Sequence, residues 1–208
     1  MNSSLYIHIP FCKKLCGYCD FFKTMSLAKK SEVLARIAEE MRERAPMLDG
    51  TVLKTIYFGG GTPTVCSPEE LGALLACARD VFDCSEVEEV TVEANPDDLT
   101  AEYIGSLRRT AVNRVSLGVQ SFDDEELRFM NRRHTAEEAS QAVKRLQDAG
   151  IGNITIDLIF GVDGFGEDVL ERRNQENRNA ECDRERDCEN QHLVVALHTE
   201  SRAVMLNR

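Results

Sequence analysis

From Leu5 to Phe160 the chain alternates between short stretches of period two and longer stretches of helical period. Leu5–Ile9 sets Leu and Ile against Tyr and His and predicts a first strand. Ser26–Arg44, rich in Ala, Leu, Glu, Lys and Arg, predicts a helix stopped by Pro46. Val52–Phe58 predicts a second strand closed by Gly59, Gly60 and Gly61. Pro68–Val81 predicts a helix with Ser67 as its N-cap and Glu70 completing a capping box. Val87–Glu93 reads as a third strand, Thr100 caps a short helix through Arg108, and Arg114–Val119 reads as a fourth strand. Helices over Asp124–Met130 and Ala136–Ala149 follow, the second ended by Gly150, before a fifth strand over Asn153–Phe160.

A repeated strand–helix order implies an α/β protein with a parallel sheet covered by helices. Five strands are too few for a closed eight-stranded barrel. A partial barrel and a doubly wound sheet both fit the pattern. The strands share a further detail. Val90 and Val92 alternate with Thr91 and Glu93; Val115, Leu117 and Val119 alternate with Arg114, Ser116, Gly118 and Gln120; Ile154, Ile156 and Leu158 alternate with Thr155 and Asp157. A parallel strand buried under helices on both faces reads as continuously apolar. Here one face is aliphatic and the other polar towards the C-terminal strand ends, where ligand sites of such folds lie. The polar face is either solvent-exposed or the wall of a ligand cavity, with Glu93, Gln120 and Asp157 at its rim.

Beyond Gly166 the character changes. Glu171 to Gln191 contains no Val, Ile, Leu, Phe or Met, and no lysine follows Gly166. Such a stretch buries too little apolar surface to offset its ordering entropy and is expected to be disordered or a loose helix. The closing residues 192–206 hold enough aliphatic side chains for one more short strand or helix. The chain therefore divides into an α/β unit over residues 1–166 and a polar tail over 167–208.

The net charge of −11 argues against a nucleic-acid partner. No run of 18 apolar residues exists, so no membrane span is expected. The N-terminus has neither a basic start nor an apolar core, so no signal peptide is expected either. Eight cysteines without an export signal then read as reduced thiols in a cytoplasmic protein. Three of them, Cys12, Cys16 and Cys19, follow the first strand in a C-x3-C-x2-C spacing. An odd trio cannot pair off as disulfides, and close thiolates suit metal. Iron–sulfur ligation ordinarily uses four cysteines, so three would leave one iron open to a substrate. The competing assignment is a zinc module with His8 as fourth ligand. Cys66, Cys77 and Cys84 match no ligand pattern, and Cys77 lies on an apolar helix face as a core residue. The triple glycine lets backbone approach a ligand closely and offer N–H groups to a carboxylate, although it is neither a Rossmann fingerprint nor a P-loop.

Tyr6, His8, Pro10, Phe11, the three cysteines, Tyr18, Asp20 and Phe21 resemble the opening of radical S-adenosylmethionine proteins. The branch is that of oxygen-independent coproporphyrinogen III oxidases and the related heme chaperones. The likeness continues through Phe58–Thr64, Thr91–Pro96, Ser116–Phe122 and Ile156–Gly161, giving five motifs in order. The resemblance implies a partial parallel (βα) barrel of about five units. It also implies that Cys12, Cys16 and Cys19 each ligate one iron of a 4Fe–4S cluster whose fourth iron chelates S-adenosylmethionine. Around that cofactor it places Tyr6, Tyr18, the loop of Gly60, Gly61 and Thr62 (chiefly through carbonyls), Glu93, Gln120, Arg132 and Asp157. Arg133 and His134 are neighbours able to exchange roles with Arg132. Implied partners are heme or a porphyrin, an electron donor for the cluster, and heme-accepting proteins.

Two departures choose among the functions. The oxidase branch has a further cysteine two positions after the third ligand, where this chain has Phe21, as heme chaperones do. The family's Gly-x-Pro-Gly turn after the fifth strand has Asp163 in place of proline, and the likeness dissolves after about Glu171. The expected function is heme binding and transfer, with oxidative decarboxylation of coproporphyrinogen III as the alternative. A third expectation is an inactive barrel fragment, truncated or frame-shifted near residue 166.

Overall fold

The computed structural model describes residues 2–48, 51–162 and 193–199. Its elements are β1 (Asn2–Ile9), α1 (Lys30–Arg44), β2 (Val52–Gly60), α2 (Pro68–Val81), β3 (Glu89–Ala94), α3 (Ala101–Leu107), β4 (Arg114–Gln120), α4 (Asp124–Phe129), α5 (Ala136–Asp148), β5 (Asn153–Phe160) and β6 (Leu193–Thr199). Short 3-10 turns occupy Ala45–Leu48, Pro63–Val65 and Pro96–Asp98. All five strands expected from the alternation are present, and β6 forms within the aliphatic closing stretch. The expected disorder or loose helix over Glu171–Gln191, with Cys182 and Cys188, lies outside the described residues.

The strands form one six-stranded sheet in the order β1-β2-β3-β4-β5-β6, and every neighbouring pair is parallel. Each strand lies beside its predecessor, so the sheet winds in one direction. A doubly wound sheet would reverse its order part-way. Among the described strands β1 and β6 do not pair with each other, and the barrel is open.

Alternation along the strands decides what lies on either side. Ile7, Ile9, Ile56, Phe58, Val90, Val92, Val115, Leu117, Ile154 and Ile156 join one core with Leu71, Leu74 and Leu75 of α2, Ile104 and Leu107 of α3, and Ala139, Val143 and Leu146 of α5. Burial of each such side chain is worth roughly 1.5–3 kcal/mol. Cys77 belongs to the same core, its thiol donating to the Ala38 carbonyl of α1 at 3.5 Å. Ser67 and Glu70 form the capping box read from the sequence, with Glu70 N–H to Ser67 Oγ at 3.2 Å and Ser67 N–H to Glu70 Oε2 at 2.8 Å. Thr135 and Glu138 build a second one at the start of α5.

The first helix departs from expectation. It begins at Lys30 rather than Ser26 and has no side-chain cap. Residues 24–26 are drawn away by the cysteine loop: Thr24 N–H donates to Pro10 O at 2.7 Å, Cys12 N–H to Thr24 O at 2.9 Å, and Ser26 N–H to Thr24 Oγ1 at 3.1 Å. Helical propensity yields there to a better-connected bridge.

Candidate metal and cofactor site

The cysteine loop leaves the C-terminal end of β1 and lies across the sheet's polar rim. Its docking follows from the glycines opposite. Gly60 has φ +114°, and a Cβ there would stand 2.5 Å from the His8 ring; a Cβ at Gly61 would stand 2.6 Å from Phe11 O. Only glycine lets the two backbones close to this distance. In the gap Gly61 N–H donates to Ile9 O at 2.8 Å and Thr62 N–H to Phe11 O at 2.7 Å. Gly60 N–H is taken by Glu93 Oε2 at 3.0 Å. The N–H groups of Gly60 and Gly61, like that of Thr62, thus serve the protein itself, against the expectation that the triple glycine presents such donors to a ligand carboxylate.

Cys12 is buried, while Cys16 and Cys19 are half-exposed in one turn, with Cys19 N–H on Cys16 O at 3.4 Å. Burial pushes the Cys12 thiol above its ordinary range, Thr62 Oγ1 donates to its sulfur at 3.6 Å and opposes that rise, and the Cys19 and Cys16 sulfurs add to it. The Cys12 thiol thus carries the electrostatic influence of the other two. Yet no three His, Cys, Asp or Glu side chains among the described residues converge tightly enough to hold a single metal ion. His8 is engaged elsewhere, through Tyr6 OH at 3.2 Å and Phe22 O at 3.1 Å. Three spaced thiols with no fourth protein ligand among the described residues fit a polynuclear iron–sulfur group better than a zinc ion.

Arg132 ties this loop to the strand ends. Its guanidinium donates to Cys16 Sγ at 3.2 Å, Tyr18 OH at 3.4 Å, Asn95 Oδ1 at 2.6 Å and Gly118 O at 2.5 Å, and its Nε is buried without a hydrogen-bond partner. Asn95 Nδ2 in turn donates to Thr62 Oγ1 at 3.3 Å. One cation thereby reaches Cys16 directly and Cys12 through two side chains. The neighbours able to exchange roles are separated by the fold. Arg133 pairs with Asp97 at 2.6 Å and Asp98 at 3.1 Å. His134 is buried, its Nε2 bonding Val119 O at 2.9 Å and its Nδ1 without a partner. Burial first, then Arg132, depresses the His134 pKa to about 4, so the ring is neutral and donates from Nε2. That bond grips β4 beside Gln120, which sits at φ +71° where the β4–β5 register shifts. A non-glycine residue in that region stores strain that its surroundings must hold.

Deeper along the polar face, Tyr57 OH donates to Glu93 Oε1 at 2.9 Å and Ser116 Oγ to Asp157 Oδ2 at 3.5 Å. Burial lifts the Glu93 carboxyl, the Tyr57 and Gly60 bonds oppose this, and the Asp157 charge adds to the rise. Glu93 and Asp157 therefore influence one another electrostatically along the polar face. Tyr6 stacks on Tyr57 with ring centroids 5.9 Å apart and is itself exposed, presenting a flat aromatic surface at the open edge. Gln120 is buried near the same rim, its Nε2 close over Gly118. Tyr18 is held from below by Leu127, Met130, Ile159 and Val162, a small second core under α4. Asn95 and Tyr57 were not singled out by sequence pattern. Tyr57 was within reach, since it alternates with Ile56 and Phe58 on the polar side of β2.

The sequence profile of the Radical SAM superfamily matches residues 6–173. The chain is similar to the heme chaperone HemW of Lactococcus lactis, at 43% identity over 78% of this chain and 42% of that protein. It is also similar to the oxygen-independent coproporphyrinogen III oxidase of Bradyrhizobium diazoefficiens, at 36% identity over 77% of this chain and 36% of that one. Among solved structures, coproporphyrinogen III oxidase HemN of Escherichia coli superposes with a TM-score of 0.78 at 30% identity, covering 93% of this chain and 43% of that one. The chain thus spans less than half the length of the relatives it matches. With a profile match over most of its length and the cysteine loop docked on an open parallel sheet, the chain belongs to the radical SAM superfamily.

Proposed function

We propose that this chain is the cofactor-binding half of a heme-chaperone-type radical SAM protein. Cys12, Cys16 and Cys19 would hold a 4Fe–4S cluster, and the polar rim would hold S-adenosylmethionine. When bound, the reduced cluster and S-adenosylmethionine would supply radical chemistry by one-electron cleavage of the sulfonium. The chain's own residues perform the rest. Arg132, its terminal nitrogens engaged by Cys16, Tyr18, Asn95 and Gly118, supplies a fixed positive charge beside the thiols that would offset the charge of a ligand carboxylate. Glu93 and Asp157, along the polar face, would be acceptors for hydroxyl or ammonium groups. Tyr6 and Tyr18 offer aromatic surfaces above and below, and Gln120 an amide at the rim.

The observation favouring the chaperone branch is Phe21, exposed where the oxidase branch carries a further cysteine. The higher identity to a heme chaperone than to an oxidase, 43% against 36%, agrees with it. Heme is accordingly the proposed cargo, with an electron donor and heme-accepting proteins as partners. Six described cysteines are free thiols, which fits a reducing cytoplasm. No helix among the described residues is long and apolar enough to cross a membrane. The second reading, decarboxylation of coproporphyrinogen III, rests on the similarity to HemN.

The test is anaerobic reconstitution with iron and sulfide, then addition of S-adenosylmethionine while the reduced cluster's paramagnetic resonance spectrum is followed. A changed spectrum, together with saturable heme binding and no product from coproporphyrinogen III, is expected. An unchanged spectrum would refute the open-iron assignment. Turnover of coproporphyrinogen III would replace the chaperone reading with the oxidase one.

A further inference from the structure

The connector between β3 and α3 touches every segment that frames the cysteine loop. Asn95 meets Arg132 and Thr62. Asp97 meets Arg133. Asp98 is the most deeply set of the three, its side chain 1% exposed. Its carboxylate accepts from Lys13 Nζ at 2.6 Å, Thr64 Oγ1 at 3.0 Å and Arg133 Nη2 at 3.1 Å. Lys13 directly follows the first cysteine of the loop and lies 85 residues from Asp98. Thr64 belongs to the turn after the glycines, and Arg133 to the link between α4 and α5.

A carboxylate so buried needs hydrogen-bond donors or cations around it. Arg133 and Thr64 already supply a cation and a hydroxyl from the rim. Lys13 is the one donor of the three that arrives from the cysteine loop, and its ammonium sits at the loop's first turn. The start of the loop is also held by Cys12 N–H to Thr24 O at 2.9 Å, Thr62 N–H to Phe11 O at 2.7 Å and Thr62 Oγ1 to Cys12 Sγ at 3.6 Å, none of them an ion pair. Its later part is held at Gly17 N–H to Met130 O, 3.3 Å, and at Asn131 Nδ2 to Leu15 O, 2.7 Å.

We infer that Asp98 and Lys13 are positioning residues: the buried carboxylate draws the Cys12–Cys16 turn onto the barrel rim and holds the thiol trio at the spacing a cluster requires. Neither residue is among the proposed ligands; the pair acts through the backbone next to Cys12. The inference rests on the iron–sulfur reading of the trio, and its test separates the two.

Lys13→Met removes the loop's end of the contact and leaves Asp98 with Thr64 and Arg133, so the fold is expected to keep its melting midpoint. The wild type, Lys13→Met, Lys13→Arg and Cys16→Ala chains are reconstituted side by side, and iron release to a chelator is timed. Lys13→Met is expected to release iron about five- to ten-fold faster than the wild type, the scale of one charge-assisted bond at a half-exposed end. It should also broaden the reduced cluster's resonance lines. Lys13→Arg should restore both. Iron release from Lys13→Met within about two-fold of the wild type would overturn the inference. So would a melting midpoint that falls along with cluster retention, since that marks a general structural role. A wild-type chain that takes up no more iron than Cys16→Ala overturns the cluster reading and this inference with it.

Discussion

The sheet's aliphatic face and the cysteine loop on its polar rim are built on different principles. On the aliphatic face, Leu117, Val115, Phe58, Ile154 and their neighbours are fully buried among side chains from α2, α3 and α5. Their attraction is non-directional and shared among many atoms, so each contact is small and the sum is large. The cysteine loop instead hangs on a few directional bonds: two glycine-loop amides, the Thr24 bridge, Arg132 on Cys16 and Asp98 on Lys13. Phe11 at its root is buried in the core and Tyr18 packs on the small second core, but Leu15, Phe21 and Phe22 are exposed. A scaffold with distributed contacts tolerates a variable site, whereas a site held by single bonds is sensitive to each one.

The sharpest way to break the comparison is to damage the distributed side. Leu117→Ala is expected to cost about 2–5 kcal/mol, because a buried leucine leaves a cavity that a sheet-centre position cannot collapse. Urea unfolding of the chain without cofactor reads this. A midpoint shift no larger than that of an exposed substitution would mean that the core is less tightly packed than the contacts imply.

A smaller effect is expected at the seam between the two regions, from His134. Its pKa near 4 in the fold lies below the ordinary histidine value, so the unfolded chain takes up a proton first as the pH falls. The contribution is present in full above about pH 6.5 and is lost as the pH drops towards 4, up to roughly 3 kcal/mol. Stability of the wild type between pH 7 and 4.5 should therefore fall more steeply than that of His134→Gln, which retains a donor for Val119 O. Parallel curves for the two proteins would show that the buried ring is not the group responsible.

The smallest effect belongs to the scaffold's periphery. Ser67→Ala removes half of a capping box and is expected to cost about 1 kcal/mol without altering iron uptake. Thermal melting and iron analysis on one preparation check both halves. If iron uptake fell as well, the loop and the scaffold would be less independent than their construction indicates.

Much of the scaffold was legible because its signals are local. Strand alternation and helical period placed the five strands, and Ser67 with Glu70 announced α2. The polar side of β3, β4 and β5 was visible as parity, which is why Glu93, Gln120 and Asp157 were in view before any geometry. Local signals misled where distant bonds competed with them. The helix expected from Ser26 starts at Lys30 because Thr24 bridges back to Pro10 and Cys12. The Gly61 and Gly60 N–H groups, expected to face a ligand, are spent on Ile9 O and Glu93 Oε2.

By itself, then, the sequence determined the class of the fold, the thiol trio and the polarity of one sheet face, since spacing and parity are properties of neighbours along the chain. Only the tertiary structure decided that the sheet winds one way, with every strand beside its predecessor. It alone set Arg132 on Cys16 and sent the neighbouring Arg133 and His134 to other partners. It alone brought Asp98 to Lys13 across 85 residues. The physical reason is common to all three. Which of several adjacent polar groups is buried against which partner depends on where helices and loops close over the sheet, and adjacent residues differ in direction far more than in chemistry.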